Sequence, residues 1–329
     1  MNERDYSVDF MKGILVIGMI LAHVIQFLGK WSIFTSEFSS FINCITFSGF
    51  FFCFGYVFYI AYLRKTLPEI WKRIVITFFK TLIAFYISGI CYCAILKRGM
   101  NGNWILKILT LNQIPAYSEF LISFALVSLV GLIFFIPLQK LLEHKWITLA
   151  IGIVLLFTTF IPYPKITSTQ LGLLIGSKKF GAFPVLQYFP LWLAGAFFAK
   201  YKIKWNRNIF VFTFWCSLTY IISKQLKSPL LVRFSPSMLW IISPLFFIYC
   251  YYLISNVLCK YKWSLPIIKI GQNTLLYLLI SNIVIFFMVT ILKRNSLSFI
   301  YCIFIALLIL LVIKYFISII TVSEKRKIK

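Results

Sequence analysis

The feature that most constrains this fold is the recurrence of apolar stretches long enough to cross a lipid bilayer, which takes about 17–25 residues each. About ten such stretches are predicted, at residues 8–28, 41–62, 73–96, 118–138, 146–162, 184–199, 209–223, 237–259, 270–292 and 297–318. Backbone groups in lipid must find their hydrogen-bond partners within their own segment, so the stretches are expected to be helices. The connections between them are too short for a soluble domain. We therefore expect a single all-α, polytopic integral membrane bundle over residues 1–329.

Composition supports this class, because 61% of the residues are hydrophobic and only 12% are charged. A soluble globular domain does not have this balance. The first apolar stretch is longer than the core of a signal peptide, and no small-x-small cleavage motif follows it before Lys30. We expect it to be retained as the first membrane helix.

The formal net charge of +25 does not indicate nucleic-acid binding, because the basic residues lie in short loops between apolar stretches. With an even number of helices and a cytoplasmic N-terminus, the densest basic clusters fall in the predicted inner loops, as the positive-inside rule requires. Both termini are therefore expected in the cytoplasm, and the basic tail at about 319–329 is expected to anchor to membrane lipids.

The eight cysteines lie almost entirely inside the predicted helices. They form no CxxC pair with a matching partner, so neither a disulfide framework nor a zinc site is indicated. We interpret them as small hydrophobic residues and predict no bound metal.

Charged residues interrupt the first apolar stretch, DFMKGILVIGMILAHV. His23 follows Lys12 by eleven residues, which places it about 16 Å further along a helix and within about 20° of the same direction. Asp9 lies near that face as well. A polar stripe on a membrane helix is expected to face the bundle interior or a water-filled cavity. The simpler alternatives are an interfacial Asp9–Lys12 pair and a histidine that only hydrogen-bonds a neighbouring helix.

Elimination favours a chemical role for His23. The chain has two histidines, and His144 lies in the short connection LLEHKW, where a solvated side chain is expected. None of the eight acidic residues lies deep in a predicted helix. If the protein transfers protons within the membrane, His23 is nearly the only side chain with a suitable pKa.

The segment SVDFMKGILVIGMILAH resembles the first-helix signature of the membrane acyltransferase superfamily, which includes acyltransferase family 3 and the heparan-glucosaminide acetyltransferase-like proteins. That signature is an acidic residue, then Arg or Lys, then ten residues and His, which Asp9, Lys12 and His23 match. Three later segments resemble the family in chain order: FSGFFFCFGYVFYIAYLRK, which contains Tyr56, FGAFPVLQYFPLWLAGAFFAKY and IIKIGQNTLLYLLISN.

The chain also departs from the family pattern. The late-helix histidine is absent, with Ser281 and Asn282 at that level, and the paired-arginine pattern after the second helix is matched only loosely by Lys72 and Arg73.

The resemblance implies an O-acyltransferase, usually an O-acetyltransferase, in the bacterial inner membrane. Its donor would be cytoplasmic acetyl-CoA or another acyl-CoA, and its acceptor a hydroxyl of a cell-surface polysaccharide or lipid-linked oligosaccharide. The donor phosphates are expected at the inner side chains Lys12, Arg64, Lys72 and Arg73. His23 is expected to act as general base or to carry the acyl group itself, and the sequence leaves both routes open.

A histidine base needs an orienting partner, for which Glu119, Asn43 and Ser48 are the candidates, with Asp9 and Tyr56 in supporting roles. The rival functions are a lipid-linked glycan flippase and a glycan polymerase. No internal repeat with paired broken helices supports a transporter, and the large outer loop usual in polymerases is missing. The acceptor sugar and the oligomeric state, including a homodimer, stay open.

Overall fold

The computed structural model describes residues 4–97, 102–226, 231–292 and 294–327, with side chains described as far as residue 319. These residues form α-helices joined by short 3₁₀ and π turns. The β pairing among them is limited to an isolated bridge between Gly29 and Leu297. The helices are α1 (Tyr6–Leu28), α2 (Ile33–Phe58), α3 (Leu67–Leu96), α4 (Trp104–Leu109), α5 (Glu119–Ile133), α6 (Phe135–Glu143), α7 (Lys145–Leu156), α8 (Thr169–Ile175), α9 (Val185–Tyr201), α10 (Arg207–Gln225), α11 (Met238–Ile242), α12 (Leu245–Leu258), α13 (Leu265–Gln272), α14 (Thr274–Ile291) and α15 (Phe299–Lys327).

Polar residues mark where the first two helices begin. The Asp5 carboxylate accepts a hydrogen bond from the backbone N–H of Ser7 and caps α1. Ser32 and Thr35 form a reciprocal capping box at the start of α2. These contacts satisfy backbone donors that a helix start leaves unpaired.

The expected all-helical membrane class is confirmed. Among the described residues, six segments are long and apolar enough to cross a membrane: Tyr6–Leu28, Ile33–Leu63, Leu67–Leu96, Met238–Leu258, Thr274–Ile291 and Phe299–Ile319. A seventh is formed if α5 and α6, which are bent by 77° against each other, make one broken span. The predicted spans at 146–162, 184–199 and 209–223 correspond to α7, α9 and α10, which are too short or too polar to qualify by themselves.

Side-chain contacts between helix ends show in which direction the helices run relative to one another. The hydroxyl of Tyr56, near the end of α2, donates to Asp5 at the start of α1 over 2.8 Å. At the opposite end of the bundle, Lys224 near the end of α10 forms an ion pair with Glu37 near the start of α2. α1 and α2 are therefore antiparallel, and α10 runs in the direction of α1. We call these the Asp5 end and the Glu37 end.

Helix α1 occupies the centre of the bundle, where it packs against α2, α12, α13, α14 and α15. Its apolar side chains are buried as well as its polar ones: Leu15, Ile20 and Val24 are at most 1% exposed. The apolar faces of α1 thus contact other helices, and its polar side chains Asp9 and His23 are buried within the bundle as well.

Glycines allow this close packing. A Cβ atom at Gly271 of α13 would lie 1.7 Å from the carbonyl oxygen of Asp9, and one at Gly13 would lie 2.1 Å from that of Ile267. Small residues let helix backbones approach closely, which is how helices in lipid gain packing energy. The α1–α13 contact therefore depends on the absence of side chains at both positions.

We predict that Gly271→Ala destabilises the protein by about 1–3 kcal/mol, because the methyl group forces α13 away from α1. Gly152→Ala is the matched control. A Cβ there meets nothing closer than 3.9 Å, and alanine is the better helix former by about 1 kcal/mol. The thermal unfolding midpoint of the detergent-solubilised protein should fall for the first variant and hold or rise for the second. Equal midpoints for both variants would contradict the close packing.

Candidate active site

His23 lies on the wall of a cavity of about 350 Å³ near the Glu37 end of the bundle. We call it the His23 cavity. Its walls come from the second half of α1, the middle of α2, the start of α5 with the turn before it, and the segments that precede α9 and α11. His23 itself is 6% exposed, so its ring is held by protein while one edge borders the cavity. A cavity of this size is within the usual range for small-molecule sites.

A chain of two hydrogen bonds orients the imidazole. Nδ1 of His23 lies 3.0 Å from Oδ1 of Asn282 on α14. The side-chain amide of Asn282 in turn donates through Nδ2 to the backbone carbonyl of Tyr117 over 2.9 Å. Asn282 thus joins α1 to the turn that precedes α5.

These bonds determine the tautomer of His23. A carbonyl oxygen only accepts hydrogen bonds, so the amide of Asn282 must direct its NH₂ group toward Tyr117 and its Oδ1 toward His23. Oδ1 also only accepts, so Nδ1 of His23 must carry the proton. The neutral ring then has its lone pair on Nε2, which is the arrangement a general base needs.

Tyr117 contacts both members of this hydrogen-bonded pair, His23 and Asn282. Its ring packs edge-on against the His23 ring, with centroids 5.1 Å apart. Its backbone adopts a φ of 62°, a left-handed conformation that non-glycine residues seldom take. Residues with such strained backbone conformations occur at functional sites more often than elsewhere.

Two of the three predicted partners of His23 line its cavity. Glu119, at the start of α5, and Asn43, on α2, both border it. The described hydrogen bond of the imidazole goes to Asn282, however. Ser48 is buried on α2 and does not line the cavity.

Near the Asp5 end of α1, Asp9 lies between two cations. Its carboxylate is 2.6 Å from Nε of Arg4 and 2.8 Å from Nζ of Lys12. Asp9 is 3% exposed, and a buried carboxylate needs such partners to offset the loss of hydration. Asp9, predicted as a supporting residue, thus pairs directly with the Lys12 ammonium group.

Lys12 borders a second cavity of about 390 Å³, which we call the Lys12 cavity. Most of its lining is apolar and aromatic, and comes from α2, α3, α5 and α14. Phe120 of α5 lines both this cavity and the His23 cavity. Phe120 is thus a buried aromatic side chain that borders both the space beside Lys12 and the space beside His23.

The other predicted donor-binding side chains lie outside the Lys12 cavity. Arg64, Lys72 and Arg73 are exposed where α2 ends and α3 begins. Lys72 packs its ammonium group 5.7 Å from the ring centroid of Trp71. Tyr56, predicted as a supporting residue, contacts the Asp5 cap of α1 and lines neither cavity.

Sequence reasoning missed three residues of the His23 cavity and its surroundings: Asn282, Tyr117 and Arg233. Asn282 carried one signal, since it lies where the resembling family places its late histidine. Tyr117 and Arg233 lie in connecting segments without periodicity, so no pattern singled them out. Within the described ranges, no three His, Cys, Asp or Glu side chains come together as a metal site requires.

Comparison with known proteins adds no family assignment, because no family model, no curated protein and no solved structure matches this chain. Fold and site define its class as a helical multi-pass membrane protein with an oriented histidine in an internal cavity.

We predict that His23 is protonated at Nδ1 when neutral, which ¹⁵N NMR of histidine-labelled protein in lipid nanodiscs measures directly. His144→Gln leaves His23 as the sole histidine and makes the assignment unambiguous. Asn282→Leu removes the acceptor and should abolish the preference for this tautomer. Ser281→Ala is the control, because the described hydrogen bond of the Ser281 hydroxyl is to Leu278 of its own helix. A proton on Nε2 in the otherwise unaltered chain would refute the assignment.

Proposed function

We propose that this protein is a membrane-embedded O-acyltransferase, with acetyl as the usual acyl group. It would move the acyl group from cytoplasmic acyl-CoA to a hydroxyl of a cell-surface polysaccharide or lipid-linked oligosaccharide. The observation that carries the proposal is the pair of cavities along α1, one beside Lys12 and one beside His23, with Phe120 between them. The resemblance of four sequence segments to the membrane acyltransferase superfamily supports the same reaction.

On the donor side, Lys12 would contact the phosphates of acyl-CoA, and the exposed Arg64, Lys72 and Arg73 would widen the basic surface. The apolar Lys12 cavity suits an extended alkyl-amide chain. Lys12 and His23 are about 16 Å apart along the helix, which is roughly the length of the pantetheine arm. The phosphates would then stay at the Asp5 end while the thioester reaches Phe120 and His23.

In the proposed reaction, Nε2 of His23 removes the proton from the acceptor hydroxyl as its oxygen attacks the thioester carbonyl. The carbon–sulfur bond then breaks, and the departing thiolate takes the proton from the imidazolium. The products are the ester and the free thiol. Direct attack of Nε2 on the thioester, with later transfer to the hydroxyl, uses the same lone pair.

The remaining residues would act around this step. Glu119 and Asn43 border the His23 cavity, and they would hydrogen-bond hydroxyls of the acceptor. Asp9 would keep Lys12 oriented, and Tyr56 would hold the start of α1 through Asp5. Ser48, which is buried beside neither cavity, would contribute to packing alone.

The proposal includes ten membrane crossings, both termini in the cytoplasm and a bacterial inner-membrane location. Two observations support it. The end-to-end contacts make α1 and α2 antiparallel, and the densest basic loops fall on one side under this topology. Membrane lipids would contact the outer helices, among them α15, whose Phe304 is 72% exposed.

The alternative is a flippase for lipid-linked glycans. Two cavities that share the lining residue Phe120 would also suit a transporter that opens to each side in turn. Acetyl-CoA binding distinguishes the two functions, because only an acyltransferase is expected to bind this donor.

Acetyl-CoA should raise the thermal unfolding midpoint of the purified protein, since a ligand that binds the folded state stabilises it. Lys12→Ala should weaken this binding by about 1.5–3 kcal/mol, the range for a charge-assisted hydrogen bond. Asp9 keeps its contact with Arg4 in that variant, so folding should survive. Lys12→Arg should retain most of the affinity. Lys140→Ala, which removes an exposed lysine of α6, is the control. No stabilisation by acetyl-CoA would favour the flippase.

His23→Ala should reduce acylation of the surface glycan by about 10²–10⁴, the usual contribution of a general base. His23→Gln keeps a hydrogen-bonding side chain without a basic ring, so it should fail equally. The measurement is the O-acetyl content of cell-surface polysaccharide, with the amount of inserted protein determined in the same cells. The exposed His144 provides the control His144→Gln. Near-normal acylation by His23→Gln would leave His23 with a packing role only.

A further inference from the structure

A third cavity, of about 310 Å³, adjoins the His23 cavity at the Glu37 end of the bundle. We call it the hydroxyl cavity, because Thr35, Ser36, Ser39 and Ser40 of α2 line it. Both cavities share three lining residues, namely Gln26, Asn43 and Arg233. The two cavities are therefore adjacent, with the imidazole bordering one and the hydroxyl groups bordering the other.

Arg233 brings a positive charge to the junction of the two cavities. In the described part of the chain, no carboxylate lies within ion-pair distance of its guanidinium. Glu119 interacts with it electrostatically, but from beyond ion-pair distance. The guanidinium packs on aromatic rings, with its carbon 4.7 Å from the ring centroid of Phe234 and 5.9 Å from that of Trp240. Such contacts orient a guanidinium and leave its N–H groups available for a ligand.

A second donor lies at the same junction. Nδ2 of Asn43 is buried and has no hydrogen-bond partner among the described residues. A buried donor without a partner costs free energy unless a ligand or water satisfies it. Glu119 borders only the His23 cavity, and no acidic residue lines the described walls of the hydroxyl cavity. Among the described residues, the junction therefore combines a cation without an ion-pair partner and an amide donor without a hydrogen-bond partner.

We propose that Arg233 and Asn43 form a subsite for an anionic group, a carboxylate or a phosphate, carried by the acceptor. The inference rests on the proposed acyl transfer and adds the class of substrate: an acidic glycan or a glycan on a phosphate-linked lipid. The planar guanidinium binds either oxyanion through paired hydrogen bonds. The anion would occupy the hydroxyl-cavity side of the junction, and the hydroxyl to be acylated would lie toward His23.

Binding of simple anions to the full-length protein in nanodiscs tests this subsite without any acyl transfer. The probes are glucuronate, inorganic phosphate and the uncharged analogue glucose. Glucuronate or phosphate should stabilise the protein against thermal unfolding, whereas glucose should do so much less. Stronger binding of glucuronate would identify an acidic sugar as the source of the anion, and stronger binding of phosphate a phosphate-linked lipid.

Arg233→Gln should weaken anion binding by about tenfold or more, and Arg233→Lys should be intermediate because it keeps the charge but loses the paired geometry. Arg294→Gln is the matched control, since Arg294 borders a separate small cavity at the same end. Asn43→Asp provides a second test with a side chain of the same shape, because a carboxylate there would repel the anion.

Anion binding that is absent in the unmodified protein, or that is unchanged in both Arg233→Gln and Asn43→Asp, would overturn the subsite. Acetyl-CoA binding is measured on the same samples and tests the donor side separately. Retained anion binding without acetyl-CoA binding would count against acyl transfer and leave the subsite in place. Acetyl-CoA binding without anion binding would rule out the subsite and leave the proposed acyl transfer in place.

Discussion

Polar side chains inside an apolar bundle must have partners, and this constraint organises the molecule around α1. An ionised or hydrogen-bonding group without a partner costs several kcal/mol in lipid. Helix α1 carries Asp9, Lys12 and His23, and each of them has a partner: Asp9 pairs with Arg4 and Lys12, and His23 bonds to Asn282. The helix that carries these three groups accordingly packs against five others.

Glycines make that enclosure possible at the level of the backbone. Close approach at Gly13 and Gly271 brings α13 against the Asp9 turn of α1, and a similar approach at Gly55 and Gly195 joins α2 to α9. These contacts bring α14, which directly follows α13, alongside the middle of α1. Asn282 reaches His23 as a result, so the packing at the Asp5 end also determines the geometry of the imidazole.

Aromatic packing builds the walls between the cavities. Phe47 of α2 stacks on Phe183 at a centroid distance of 3.9 Å, and Phe51 contacts Phe124 of α5 at 5.0 Å. Rigid rings with few rotamers bury large areas at low entropic cost, so these walls are well defined. The position of Phe120 between the Lys12 and His23 cavities follows from the same α2–α5 packing.

The sequence by itself determined the all-helical membrane class and the polar face of α1, because helix periodicity and hydropathy are local properties. It also predicted that Asn43 and Glu119 would lie near His23. Only the tertiary structure decided that Asn282, 259 positions away, bonds to His23, that Arg233 borders the same cavity, and that Arg64, Lys72 and Arg73 stay exposed. The reason is physical: contacts between distant helices depend on how their surfaces pack. A pattern within one segment does not predict which other segment packs against it.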